Sequence, residues 1–339
     1  MNVFELTRAL VDIGSITNNE ERAGNFLFDL LTPLAVRFDG HVERVEVEPR
    51  RFNVFAQWGN ELAVTLSTHI DTVPPFFASR EDAEYIWGRG ACDTKGIIAC
   101  MIFAVEALLT AGQRNIGLLF VVGEERNSAG AYRAAEAPRG SRYIVNGEPT
   151  GNRLAIGSKG VLRYEVAATG KMAHSAYPEL GDSAVHKLID ALADIRRLAL
   201  PVDDLLGPST LNIGTISGGR APNVIADEAH ADIMVRLVGD SASTKDALAR
   251  AVGGRAELRE VIEIPAVRLN SVEGIDTTVV AYTTDIPAFA GVWGEPYLLG
   301  PGSIHVAHTM EERVAKRELT EAVELYQRIV RHLCKRASK

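Results

Sequence analysis

Apolar residues in this chain gather into short, nearly unbroken runs, each closed by polar or acidic positions. Residues 62–67 (LAVTLS) are β-rich and lead to His69. Residues 116–122 (IGLLFVV) end at Gly123-Glu124-Glu125, and residues 142–145 (RYIV) lead to Asn146-Gly147-Glu148. Runs this short and this apolar read as strands buried on both faces. Helical patterns lie around them, over residues 3–13, 20–34 and 94–111. Asn18, with Glu21 three residues on, reads as a cap for the second helix. Gly112 reads as the stop of the third. Buried strands alternating with helices predict an α/β domain, a mostly parallel sheet flanked by helices. In such sheets, ligands bind beyond the carboxyl ends of the strands.

Past Gly160 the pattern changes. Residues 161–168 (VLRYEVAA) alternate, as a half-exposed antiparallel strand does. A helix follows over 183–200, then strands over 211–216 and 228–237, a helix near 243–252 and a strand over 256–264. That order predicts an inserted α+β unit of ferredoxin-like form with one open sheet face. The α/β character resumes near Leu269, through 297–299 and a closing helix over 316–335. The expected organisation is one domain from 1–159 and 267–339, interrupted by an insert of 160–266. No internal repeat or low-complexity linker is present.

Composition narrows the function classes. A chain of 339 residues is long for one hydrophobic core, which favours two domains. Lys and Arg number 36 against 44 Asp and Glu, a net charge of −8 with no basic tract. That argues against a nucleic-acid groove. No apolar stretch reaches the roughly 18 residues of a membrane span. The first twelve residues lack the basic start, apolar run and cleavage site of a signal peptide. Cys92, Cys100 and Cys334 form no CxxC spacing and leave an odd count, as expected for reduced thiols in a cytoplasm.

The chemistry lies where the apolar runs end. His69 and Asp71 are two apart, so on extended backbone they face the same way. Asp71 can then bond one imidazole nitrogen and leave the other for a metal. Read alone, the pair also fits two solvated polar residues. Asp93 lies in GRGACDTKG, before the long apolar helix, where it either ligates a metal or caps the helix. The segment lacks GxxxxGK[ST] and GxGxxG, so it is no phosphate loop. Glu124 and Glu125 point apart, leaving one free to ligate and the other to move protons; the alternative is an exposed loop start. Glu148 needs a partner if buried. With His308, these acids and imidazoles are the donor types that hold a pair of divalent cations.

The whole set resembles the two-zinc aminoacylase and carboxypeptidase family, of which acetylornithine deacetylase and succinyl-diaminopimelate desuccinylase are members. The matching motifs are HIDTVP from His69, GRGACDTKG from Gly88, EERNSAGA from Glu124, NGEPT from Asn146 and GPGSIHVAHTMEE from Gly300. In the insert they are HSAYPELG from His174 and GTISGGRAPNVIADEAHADIMVR from Gly214. The resemblance covers essentially the whole chain, in family order. It implies a zinc-exopeptidase-like catalytic domain and an insert that serves as lid and dimerisation domain.

By position, the resemblance implies that His69 and Glu148 bind one metal and Glu125 and His308 the other, with Asp93 bridging. Asp71 would orient His69, and Glu124 would be the general base. The spacing to Glu312 selects His308 over His305. His41, His186, His230 and His332 match no motif. His174 would reach into a partner's active site to stabilise the oxyanion. Asn223, Arg236 and the turn of Gly300, Gly302 and Ser303 would hold substrate or its carboxylate. Two departures stand out: Ala226 replaces the usual proline after Asn-Val-Ile, and the segment from Val73 to Gly88 is short.

The implied cofactors are two divalent ions, zinc by default, with cobalt and manganese also suited to the donors. The implied reaction is removal of an acyl group, acetyl in first place, from an N-acyl amino acid such as N-acetylornithine, by a metal-activated hydroxide. The alternative is a dipeptidase or carboxypeptidase using the same site. A homodimer through the insert is the expected assembly, with no nucleic-acid or membrane partner.

Overall fold

A helix that is apolar on every side belongs inside a protein. Gly96–Thr110 is such a helix: apart from Phe103, Glu106, Ala107 and Thr110, all its residues are buried. In the computed structural model, which describes residues 1–338, it packs against the closing helix Lys316–Ala337 and the first helix Val3–Val11. Each large side chain it buries removes about 1.5–3 kcal/mol of apolar exposure. The first helix is fixed by a capping box. The Asn2 side chain accepts from the Phe4 and Glu5 N–H groups, and Glu5 accepts from the Asn2 N–H. The second helix, Glu21–Arg37, has no side-chain cap. Asn18 instead occupies a left-handed turn at φ 78°, which corrects the expected capping role.

The chain divides into two compact units, one of 1–156, 269–278 and 284 onward, the other of 157–268 and 279–283. Residues 279–283 group with the second unit although they lie apart from it in sequence.

The first unit carries a six-stranded mixed sheet. Its order is His41–Glu48, Arg51–Trp58, Ile116–Val121, Val64–His69, Tyr143–Asn146 and Glu295–Leu298. The last four run parallel to one another, while the first two pair antiparallel. Those two were absent from the sequence reading. His41–Glu48 (HVERVEVE) is an edge strand with charges at alternate positions, so no apolar run marks it. Parallel strands end on one side of a sheet, and that side collects His69, the segment of Glu124 and Glu125, and Glu148.

The second unit is a four-stranded antiparallel sheet, ordered Thr210–Gly218, Glu228–Leu237, Gly160–Thr169 and Glu257–Ile264. Helices Ala184–Ile195 and Ala242–Val252 supply Leu188, Leu192 and Leu248 to its core. Glu228–Leu237 alternates buried and partly exposed positions along its length, as one covered face requires. Strand–helix–strand–strand–helix–strand is the ferredoxin-like order. Ala226, where a proline was expected, is buried and its carbonyl accepts from the Ala184 N–H at 2.8 Å, so backbone bonding holds that segment. Among the described residues, no helix is long and apolar enough to cross a membrane.

Candidate metal centre

Two clusters of metal-ligand type meet at one carboxylate. His69, Asp93 and Glu148 form the first, and Asp93, Glu125 and His308 the second, each with ligand atoms within 4.8 Å of one another. Asp93 faces both imidazoles. Its Oδ1 lies 3.0 Å from His69 Nε2, and its Oδ2 lies 3.2 Å from His308 Nε2. Glu148 Oε1 is 3.9 Å from His69 Nε2, and Glu125 Oε2 is 3.1 Å from His308 Nε2. His69 and Glu148 are buried, but the His308 side chain is 50% exposed, so the second cluster is the open one. His308 sits at φ 63°, a left-handed conformation rarely adopted by non-glycine residues. His305 is exposed and belongs to neither cluster.

Asp93 is held from behind by Glu312. That side chain is 1% exposed, pairs with Arg89 Nη1 at 2.5 Å, and accepts the Gly90 N–H at 2.8 Å and the Asp93 N–H at 3.4 Å. Gly90 is left-handed at φ 86°, and a Cβ there would lie 2.9 Å from Thr72 Cγ2. Cys92, buried in the same turn, has its thiol pushed well up by burial and the Glu312 charge. All three cysteines are free and buried.

Two expectations change. The Asp71 carboxylate does not hydrogen-bond His69: Nδ1 of that ring meets the Asp71 backbone carbonyl at 2.9 Å, with the nearest carboxylate oxygen at 3.7 Å. Backbone reach explains this, because the main chain turns toward the ring while the side chain turns toward residues 123–125. Nor are the Gly300 and Gly302 N–H groups free for a substrate. Gly300 donates to Thr150 Oγ1 at 3.0 Å and Gly302 to Glu318 Oε2 at 3.1 Å, because the turn is tied to neighbouring structure. Ser303 remains exposed.

Sequence reasoning missed Asp285, a wholly buried carboxyl whose oxygens make no well-formed hydrogen bond. Burial pushes it up to about 7, with Ser128 and His69 opposing that shift. Its only sequence signal is an acid ahead of an apolar stretch, Ile286 to Phe289.

The electrostatics show why this donor set fits divalent cations. Burial pushes the Glu124 and Glu148 carboxyls well up, with neighbouring carboxylates adding to it; Glu125 moves up for the same first reason. Burial opposes the charged form of His69, but the Asp93 hydrogen bond and nearby carboxylates outweigh it and raise the ring's pKa. Hydrogen bonds to Asp93 and Glu125 hold His308 up at about 10. Oε1 of Glu148 is buried without a hydrogen-bond partner. Crowded carboxylates, an orphaned oxygen and two imidazoles are N/O donors short of positive charge, which divalent zinc, cobalt or manganese would supply.

The same shifts predict a pH dependence for metal-free protein. Glu312 is pushed up to about 7, chiefly by burial, as Asp285 is. Between their ordinary carboxyl range and about 7, the folded chain holds protons that the unfolded chain has released. Stability therefore falls as pH rises through that window. His69 and His308, also raised, extend the fall from their ordinary value upward. Asp93, lowered by its two imidazoles against the effect of burial, acts oppositely only at acid pH. Chelated protein should lose several degrees of Tm from about pH 5 to about pH 9. Added zinc should offset that loss, because ligands bind metal deprotonated. A Tm that stays flat or rises with pH in chelator contradicts this account.

The remaining predicted residues lie in the second unit. His174 is exposed, and its Nδ1 accepts the Ala176 N–H at 3.1 Å. Asn223 is exposed and its carbonyl accepts from the Ser175 N–H. Arg236 is partly buried, and burial alone lowers its pKa.

A mixed α/β sheet carries these His and carboxylate clusters on one side, and comparison identifies the class of protein. The chain belongs to peptidase family M20/M25/M40, whose family model matches residues 65–332. A peptidase M20 domain-containing protein of Schizosaccharomyces pombe is 37% identical, covering 97% of this chain and 84% of that protein. A probable carboxypeptidase of Arthroderma otae is 36% identical, covering 97% and 85%. The fold is similar to that of a tripeptidase from Staphylococcus aureus, with TM-score 0.79 and 21% identity over 97% of this chain and 98% of that one. It is also similar to a dinuclear metal-binding M20 peptidase from Bacillus subtilis, with TM-score 0.69 and 16% identity over 97% and 96%. The chain is thus a hydrolase of amide bonds.

Proposed function

We propose that the protein is a two-metal peptidase that hydrolyses the amide next to a free carboxylate in short peptides. The observation that carries this reading is the pair of ligand clusters sharing Asp93. The relatives named as carboxypeptidases support peptides over other amides. His69, Glu148, Asp93, Glu125 and His308 would hold the two ions. When bound, such ions supply Lewis-acid activation of water and of the scissile carbonyl.

The chain's own residues carry the proton steps. The Glu124 carboxylate, in neither cluster, takes a proton as water adds to the amide carbon, then delivers it to the nitrogen as the C–N bond breaks. His174 accepts at Nδ1, so its neutral ring carries hydrogen on Nε2 and can donate to the oxyanion. Asn223 and Ser303 are proposed to hold substrate polar groups. Arg236 is proposed to take the carboxylate, for which a guanidinium fork is well suited.

A homodimer through the second unit is part of this proposal. Its support is the edge strand Thr210–Gly218, paired on one side only, with Ile216 62% exposed. Sedimentation at assay concentration tests it, and a fully active monomer would remove the trans role of His174. The second reading is N-acyl amino acid deacetylation, favoured by the NGEPT and GPGSI motifs, with N-acetylornithine as its first candidate. A panel of di- and tripeptides, their C-terminal amides and N-acetyl amino acids separates the two. The peptidase reading expects free-carboxylate peptides to turn over fastest. Arg236→Ala should raise KM for them by about ten- to hundredfold with kcat much less changed. Preference for acetyl-amino acids over every peptide would move the function to the second reading.

A further inference from the structure

The Asp71 side chain is buried inside the turn that carries Glu124 and Glu125. Its Oδ1 accepts the Gly123 N–H at 2.9 Å and the Glu124 N–H at 3.1 Å. Its Oδ2 accepts the Glu125 N–H at 3.2 Å and the Thr17 hydroxyl at 2.9 Å. Three successive N–H groups converging on one anion form a backbone nest. Gly123 makes that possible: it is left-handed at φ 84°, and a Cβ there would lie 2.9 Å from Arg51 Nη2. Just upstream, Asn53 Oδ1 takes the Val122 N–H at 3.2 Å while its Nδ2 donates to the Gly130 carbonyl at 2.8 Å. Two side chains from neighbouring strand segments thus hold four consecutive N–H groups, those of residues 122–125.

The His69 ring makes no hydrogen bond to the Asp71 side chain, whose nearest oxygen stands 3.7 Å from Nδ1. Its Nδ1 is met by a main-chain carbonyl at 2.9 Å, which any residue at position 71 supplies. Its Nε2 faces Asp93 at 3.0 Å.

We propose that Asp71 is a positioning residue for Glu124 and Glu125, acting as a carboxylate clamp on the backbone of their turn rather than as a partner of the His69 ring. This rests on the proposed roles of those two glutamates. Adjacent residues on a clamped backbone project in fixed, different directions, so one anchor sets both the proton-transfer group and the second cluster's ligand. An unclamped turn lets both drift, and displacements of about an ångström are costly at a reacting centre.

The test uses the full chain and two substitutions. Asp71→Asn keeps one acceptor but turns an NH2 toward the Glu125 N–H and the Thr17 hydroxyl. Thr17→Val removes only the hydroxyl on Oδ2 and keeps the protein testable if Asp71→Asn fails to fold. Amide hydrogen exchange of metal-free protein should show the 123–125 N–H groups about ten- to hundredfold faster in Asp71→Asn, and less so in Thr17→Val. Thr17→Ser should restore protection.

The second readout distinguishes positioning from mere structure. In a zinc titration followed by histidine 15N shifts, the His308 response should move to higher zinc while that of His69 stays in place. Kinetically, kcat should fall by at least about tenfold with KM within about twofold. Unchanged exchange at 123–125, together with an altered His69 ring, would overturn the clamp and restore a ring-orienting role. Because exchange and ring shifts need no substrate, a wrong substrate class leaves this test standing.

Discussion

Glu124→Gln should abolish nearly all turnover while leaving both metals bound. The substitution keeps the side chain's size and removes its capacity to accept a proton. General-base contributions run to about 10²–10⁴-fold, and this residue both takes the proton and returns it, so a loss toward about 10³–10⁴ in kcat is expected. Metal stoichiometry should not change, because Glu124 belongs to neither ligand cluster. Its neighbour should behave in the opposite way. Glu125 lies 3.1 Å from His308 Nε2, so Glu125→Gln should weaken the second metal and lose activity that excess zinc partly restores. Single-turnover kinetics beside metal analysis separate the two. Wild-type turnover in a two-metal Glu124→Gln enzyme would remove the base assignment.

The residues that gather into the two clusters stand out in the sequence because several of them end strands. His69, Glu124, Glu125 and Glu148 each close an apolar run, and parallel strands bring such ends to one side. Asp93 and His308 lie in glycine-containing or irregular segments, and their inclusion rested on motif order. What stayed illegible was the direction in which groups point. HxD spacing places two residues on one face of an extended strand, yet the chain turns after His69 and sends the Asp71 carboxylate to the 123–125 backbone. Glycines at 300 and 302 suggest free N–H groups, but Thr150 and Glu318, distant in sequence, occupy them. Arg51–Trp58 was missed although mostly buried, because Arg51 and Asn53 interrupt its apolar pattern. Both are paired: Arg51 with Glu20 at 2.8 Å, and Asn53 with Gly130 and Val122. A buried polar residue with a distant partner looks like a loop residue until the partner is in view.

Asp93→Asn and Glu148→Gln should separate ligand function from folding in opposite directions. Asp93 is common to both clusters, so its amide variant should lose both metals and at least about 10³ of activity. It should also destabilise metal-free protein. The Asp93 carboxylate is the hydrogen-bonding partner of both His69 and His308, and their imidazoles hold its pKa well down against burial. Removing that charge leaves a buried, raised-pKa His69 with a weakened partner. Glu148 sits on the other side of the balance. Burial disfavours its charge, and Oε1 has no hydrogen-bond partner. Its amide variant should therefore melt at or above the wild-type temperature in chelator, while losing metal at the His69 cluster. Thermal melts at neutral pH with chelator and with zinc decide the matter. Equal destabilisation by both substitutions would mean that both charges support the metal-free fold; opposite signs would show that Asp93 supports that fold while Glu148 is kept for the metal at a cost to it.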